Sequence, residues 1–254
     1  MKSLRTGIVA AFAGAAVLAI PQTFAADDKA HWDYSGKADP SVWAELSDKY
    51  KACGAGVQQS PVDIKKSDTF AAQAAKLSVK WQAFTPEVLN NGHTIQVNAN
   101  GSGGYAELEG KRYQLLQYHF HHLSEHTVEG KHAKMEVHFV HQSEAGDLLV
   151  IGALIGEGDA NPAIADVWSR IPAAGEKATG SSTVDPGAMI PTKQDAFRYK
   201  GSLTTPPCSE IVTWHVMAEP ITAGADQIAA FAALYPNNYR PVQDRNRRYI
   251  LSVD

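Results

Sequence analysis

The sequence predicts a mainly β protein: one domain, a central antiparallel sheet, and short helices at its periphery. Three observations predict it. From Leu77 onward the chain is a series of short strand-like runs separated by turn signals. Helical patterns are few and stand apart from those runs. No repeat, low-complexity tract or linker divides the 254 residues, a length suited to one large domain.

The first residues are a separate object. Lys2 and Arg5 precede an apolar, small-residue run from Gly7 to Ile20, and Thr23-Phe24-Ala25-Ala26 offers a small-residue cleavage site. This is the pattern of a secretory signal peptide, residues 1–25, with the mature domain at 26–254 and cleavage after Ala25 or Ala26. The apolar run is too short to span a bilayer, which takes about 20 residues. The sequence therefore predicts a periplasmic or secreted chain with no membrane insertion after cleavage. Removing residues 1–25 takes away two cations and no anions, so a net charge of -4 becomes -6. A mildly acidic chain without a basic patch argues against nucleic acid as a partner.

His31 to Ile64 is rich in turn residues and aromatics, with a short helix expected near Pro40 to Tyr50, capped by Asp39 or Ser41. Strands are expected at Leu77–Ala83, Glu87–Asn90, Thr94–Asn98, Ala106–Leu108, Tyr113–His121, Lys134–His141, Leu148–Ile155 and Glu210–Met217. Asn100-Gly101-Ser102-Gly103-Gly104 and Glu109-Gly110 supply turns. Helices are expected at Pro162–Arg170, where Asn161 caps and Pro opens the first turn, and at Ala225–Leu234.

Seven of the ten histidines fall between 119 and 141. Residues two apart on a strand share a face, so His119 and His121 project together. If the strand of His138 pairs beside theirs, His138 completes a triangle of neutral nitrogens. Three protein ligands with one open position is the arrangement of a catalytic zinc site. Parity turns His122 away from His121, and His141 away from His138. His132 falls in the turn around Gly130. Gln117 and Glu136 each lie two residues before a ligand, on its face, where they can hold the outer ring nitrogen.

Cys53 and Cys208 are the only cysteines. In an exported chain two cysteines most simply form one disulfide; two buried free thiols are the alternative. Closing about 155 residues gives at most roughly 5 kcal/mol in the chain-entropy model.

The motifs lie in an order that carries a family. They are His31-Trp32-Asp33-Tyr34, Gln59-Ser60-Pro61-Val62-Asp63-Ile64, Asn90-Asn91-Gly92-His93, Gln117 to His121, Ser124-Glu125-His126-Thr127, Glu136-Val137-His138, Gly201 to Cys208 and Asn238-Tyr239-Arg240-Pro241. From Trp32 to about Arg248 the chain resembles the α-class carbonic anhydrases in their exported bacterial form. The resemblance implies a central, mostly antiparallel twisted sheet of about ten strands. It implies Zn2+ on His119, His121 and His138, and attack of zinc-bound hydroxide on carbon dioxide to give bicarbonate, with weak ester hydrolysis as a side activity.

It further implies that Thr204 accepts a hydrogen bond from that hydroxide and donates one to Glu125, which when ionised can only accept. Thr205 lies near bicarbonate. Val140, Val150, Leu203, Val212 and Trp214 match the carbon dioxide pocket, and His93 matches the proton shuttle, an imidazole suited to neutral pH. Cys53 and Cys208 match cysteines that are paired in exported members, and such members are often homodimers. His122 and Gln96 depart from the common pattern. A non-catalytic binding module would lack a zinc histidine, whereas a zinc-storage protein would hold several ions.

Overall fold

The computed structural model describes residues 30–73, 76–180 and 182–254. The expected signal segment lies outside them. Among the described residues no helix is long and apolar enough to cross a membrane.

Ten strands form one continuous path: β1 (Thr69–Ala71), β2 (Glu87–Asn90), β3 (Ile95–Asn98), β4 (Lys111–His121), β5 (Met135–Ser143), β6 (Leu148–Glu157), β7 (Lys177–Thr179), β8 (Ala196–Gly201), β9 (Val212–Met217) and β10 (Ile250–Val253). Their spatial order is β7-β2-β3-β4-β5-β6-β9-β8-β10-β1. Gly104–Leu108 adds to β4, Ser78–Trp81 adds to Gly104–Leu108, and Ile221–Ala223 adds to β6, making thirteen strands. Pairing is antiparallel except at β6·β9, β10·β1 and the Ile221–Ala223 strand. A separate small sheet joins Asp63–Ile64, Thr127–Val128 and Lys131–His132.

The middle of the sheet follows from sequence pattern. Leu148 to Ile155 is an unbroken apolar run and is buried throughout, as a strand covered on both faces must be. Alternation then sorts the two faces of β4, β5 and β6. Tyr118, Phe120, Val137, Phe139, Leu149, Ile151 and Ala153 join the main core on one face. Gln117, His119, His121, Glu136, His138, Val140, Val150 and Gly152 share the other face by parity. On β9, Val212 and Trp214 belong to the second cluster, with Val150.

The expected helices at 162 and 225 form as Pro162–Trp168 and Ala225–Leu234. Asn161 Oδ1 accepts from the backbone N–H of Ala163 and Ile164, as an N-cap does. The short helix expected near Pro40–Tyr50 forms over Trp43–Leu46 alone, among the further short turns Gly36–Ala38, Asp48–Tyr50 and Ala52–Ala55. Ser47 interrupts it in extended conformation, and its hydroxyl accepts from Lys49 N. Asp39 does receive Ser41 N and Oγ, at 2.8 and 2.6 Å, but closes only a turn. His132 is exposed, in a two-residue strand rather than a turn.

Cys53 and Cys208 form a disulfide across 155 residues. Both are buried and pack with Trp43 and Tyr50, so the bridge ties the N-terminal turns to the loop carrying Thr204 and Thr205. Reduction is expected to lower the melting temperature, by at most about 5 kcal/mol of stability. Thermal unfolding with and without reductant, with thiols counted, checks this. An unchanged melting temperature with both thiols released contradicts it.

Candidate metal centre

The strand register builds the centre. His119 on β4 pairs directly with His138 on β5, and His138 pairs on its other side with Gly152 of β6. The ring centroids of His119, His121 and His138 stand 4.6–5.3 Å apart. One nitrogen from each lies within 4.8 Å of the others.

The outer nitrogens fix the tautomers. His121 Nδ1 faces the carbonyl of Asn238 at 2.7 Å, and a carbonyl only accepts, so Nδ1 carries the proton. His119 Nδ1 donates to Gln117 Oε1 at 2.9 Å. His138 Nε2 donates to Glu136 Oε1 at 2.9 Å. The inner lone pairs are then His119 Nε2, His121 Nε2 and His138 Nδ1.

His121 Nε2 is buried without a hydrogen-bond partner, and so is Glu125 Oε2, 3.6 Å from it and 3.8 Å from His138 Nδ1. Buried polar atoms without partners are costly, and a cation among them relieves both kinds. Three neutral nitrogens suit zinc. Burial, reinforced by the neighbouring rings, holds His119 well below the usual imidazole range. Burial also lowers His121, with Glu125 opposing. At His138 burial is outweighed by Glu136 and Glu125, and the ring is raised.

Glu136 is the hub behind the triangle. Burial pushes its pKa up, but His126 and His138 outweigh that and hold it well below the usual carboxylate range. Its Oε1 takes His126 Nδ1 at 2.8 Å as well as His138, and its Oε2 takes His126 N at 2.9 Å. His126 Nε2 lies 2.6 Å from the Tyr199 hydroxyl, itself 3.0 Å from Ser60 Oγ. His126, Glu136 and His138 also cluster closely enough to suggest a metal site. Their facing atoms are consumed by these mutual hydrogen bonds, so the first triangle is the candidate. A Cβ on Gly152 would stand 2.8 Å from Glu136 Oε1; glycine is what admits the carboxylate.

The apolar residues expected around the substrate come together. Val150, Val212 and Trp214 are buried in one cluster, with Val140 and Leu203 packed against it. The Trp214 ring sits 4.8 Å from that of His138. Thr204 is buried and Thr205 half-buried on a loop closed by Leu203 N to Ser209 O and Cys208 N to Thr205 O. The hydrogen bond implied between Thr204 and Glu125 is absent. Glu125 Oε1 accepts from Arg240 N at 2.8 Å, and Oε2 lies 3.6 Å from His121 Nε2 and 3.8 Å from His138 Nδ1.

A cavity of about 130 Å³ runs from His119 and His121 past Gln96, Gln117 and Thr205 to His93, Trp32 and Tyr34. His93 is half-buried and stacked on Trp32, with ring centroids 3.9 Å apart. Burial lowers its pKa, with Asp33 opposing. Gly92, at φ 86°, makes the turn that presents it.

The eukaryotic-type carbonic anhydrase family profile matches residues 38–254. The chain belongs to this family. A carbonic anhydrase of Pectobacterium carotovorum is 40% identical over 239 residues, covering 93% of this chain and 97% of its own. One of Nostoc sp. is 40% identical, covering 88% and 86%. The α-carbonic anhydrase of Thermovibrio ammonificans, solved with the inhibitor sulfanilamide, superposes with a TM-score of 0.85 at 43% identity, covering 87% and 99%. The chain is a carbonate dehydratase, acting on a small-molecule substrate in the reversible hydration of carbon dioxide.

Several residues around the centre of this carbonic anhydrase were not singled out by sequence reasoning. The carbonyl of Asn238 and the N–H of Arg240 act through backbone atoms, which no residue type announces. His126 stood in the Ser124-Glu125-His126-Thr127 motif without a role of its own, and Gly152 was visible only as one more glycine. His141, off the site by parity, is buried between Trp81 Nε1 at 2.8 Å and Leu149 O at 3.2 Å. His122, beside the centre, donates its backbone N–H to Asn238 Oδ1 at 2.7 Å.

Gly152→Ala is expected to displace Glu136 and weaken divalent-metal affinity by about 10–100-fold. Competition against a chelator measures it; an unchanged affinity contradicts the role of Gly152.

Proposed function

We propose that this carbonic anhydrase works with one zinc ion held by His119, His121 and His138, with Glu125 and Thr204 directing the nucleophile and His93 carrying the proton away. The observation that supports this most strongly is the convergence of ring nitrogens of His119, His121 and His138, the last two buried, beside an unpartnered carboxylate oxygen of Glu125. Zinc on three neutral nitrogens supplies Lewis acidity that makes a bound water acidic near neutral pH, carbonic anhydrases being themselves the reference case for that effect.

The chain's own residues do the rest. Ionised Glu125 can only accept, so a Thr204 hydroxyl turned to Oε2 must donate there. Its lone pair is then left to receive and aim the attacking hydroxide. Arg240 N supports the arrangement by holding Glu125 Oε1, which leaves Oε2 for the threonine. Carbon dioxide has no strong polar handle, and Val140, Val150, Leu203, Val212 and Trp214 offer it an apolar wall beside the centre. Thr205, on the cavity wall next to His119 and His121, is placed to meet bicarbonate. Gln117 and Glu136 keep His119 and His138 in the tautomers that ligation needs.

The proton leaves through the same cavity. His93 lines it with Nδ1 unpartnered, and an imidazole can accept and release a proton near neutrality. We place the mature chain in the periplasm or outside the cell, a reading supported by the disulfide and by the leader pattern of residues 1–25.

His93→Ala is expected to lower kcat for hydration while leaving kcat/KM nearly intact, with added imidazole restoring the rate. Equal losses in both parameters contradict the shuttle. Thr204→Ala is expected to raise the barrier by about 2–4 kcal/mol, read as a fall in kcat/KM with zinc content unchanged.

A further inference from the structure

The face of the sheet turned away from the histidines carries a second constellation. On β8 and β9, Tyr199, Val212 and Trp214 belong to the catalytic side, so alternation sends Arg198, Lys200, Thr213 and His215 to the opposite one. They pair across the strands, Arg198 with His215 and Lys200 with Thr213. A cleft of about 450 Å³ is lined by Arg198, Lys200 and Thr213, with an edge of Tyr199, and by Leu108, Glu109, Tyr113 and residues 247–249. That volume is in the range of small-molecule sites.

Four cations line the cleft: Arg198, Lys200, Arg247 and Arg248; Glu109 is the only carboxylate lining it. This is a concentration of positive charge on a chain whose net charge is -4. The surrounding acids are engaged or distant. Glu109, an exposed residue on a turn, reaches Arg198 Nη1 only at 3.5 Å. Glu210 accepts from Gln58 N at 2.6 Å and Gln59 Nε2 at 2.9 Å, and Asp147 is bound by Lys111 at 2.6 Å.

Arg198 is 5% exposed, on a strand paired on both sides. Arg248 donates from Nε, Nη1 and Nη2 to the carbonyls of Arg245, Lys200 and Asp244, which fixes its charge at the cleft. Lys200 Nζ donates once, to Thr213 Oγ1 at 2.7 Å, and an ammonium has three donors. Arg247 is exposed and makes no hydrogen bond or ion pair among the described residues. Leu108, Tyr113, Tyr249 and Leu251 give the remaining wall an apolar, aromatic character.

We propose that this cleft binds a small organic oxyanion, a carboxylate or phosphate ester on a flat apolar body, at a site separate from the catalytic centre. The oxyanion takes the guanidinium donors of Arg247 and the ammonium donors of Lys200, with Arg198 adding positive charge at the cleft floor. The body lies against Tyr249 and Leu251.

The test is calorimetric titration of the zinc-loaded full chain with phenyl phosphate, benzoate and inorganic phosphate at low ionic strength, where screening is weakest. Saturable 1:1 binding of phenyl phosphate or benzoate is expected, tighter than inorganic phosphate; the tighter of the two organic probes identifies the head group. Arg247→Ser and Lys200→Gln, both at exposed side chains, are each expected to weaken it by about fivefold or more. His119→Ala is expected to retain it, which separates this cleft from anion binding at the catalytic centre. No saturable binding, unchanged affinity in both cleft variants, or loss in His119→Ala overturns the proposal.

Discussion

The pairing of His119 with His138 across β4 and β5 is the constraint on which the rest of the centre depends. Side chains alternate along a strand, so a slip of one residue would send every member of one strand to the core face. The register therefore decides at once where the ligands, the residues that orient them and the apolar wall can be. It is held from behind by the core cluster, in which Tyr118, Phe120, Val137 and Phe139 occupy the alternate positions of the same two strands. The ligand set is the polar imprint of that packing.

Such a centre puts two carboxylates and several imidazoles out of reach of water. Glu125 and Glu136 are both 0% exposed. A buried charge is tolerated when it is paired and fully hydrogen-bonded, and strongly destabilising when one partner is removed. Glu136 meets the condition with three short contacts to His126 and His138, made possible by the missing side chain at residue 152. Glu125 meets it on one oxygen only, through Arg240 N. The difference matches their tasks: one carboxylate fixes a ligand, and the other keeps an acceptor in reserve on the open side of the triangle. Arg240 extends the support outward. Its buried guanidinium donates to Gln59 Oε1 and to the carbonyls of Ser60 and Cys53, while Gln59 Nε2 donates to Cys208 O. Burial lowers its pKa to about 10, which leaves it a cation at neutral pH. The disulfide, the threonine loop and Glu125 are thus joined through one residue, its guanidinium on one side and its backbone N–H on the other.

The sheet's middle was legible in the sequence because period-2 alternation and one long apolar run are strong signals. Glu87–Asn90, the core of β4 and β5, and β6 were all placed from pattern. The short edge strands were not. Thr69–Ala71, Lys177–Thr179 and Ile250–Val253 have three or four residues each and lie at or next to the ends of the sheet. Ala196–Gly201 was missed although it lies inside the sheet, because Arg198 and Lys200 give its back face the look of a loop. In the site, His119, His121, His138, Gln117 and Glu136 were legible from parity. The threonine loop, His93 and Glu125 were legible only through resemblance, since their placement depends on turns and long-range contacts. The cationic cleft was invisible: its four cations come from β8 and the segment before β10, and only folding gathers them.

Stopped-flow measurement of carbon dioxide hydration, with zinc counted per chain before and after chelation, tests the central claim most directly. The account predicts one zinc per chain, activity lost in proportion to zinc removed, and full recovery on adding zinc back. Hydration that survives complete zinc removal, or a chain that binds several zinc ions without hydrating carbon dioxide, would contradict it.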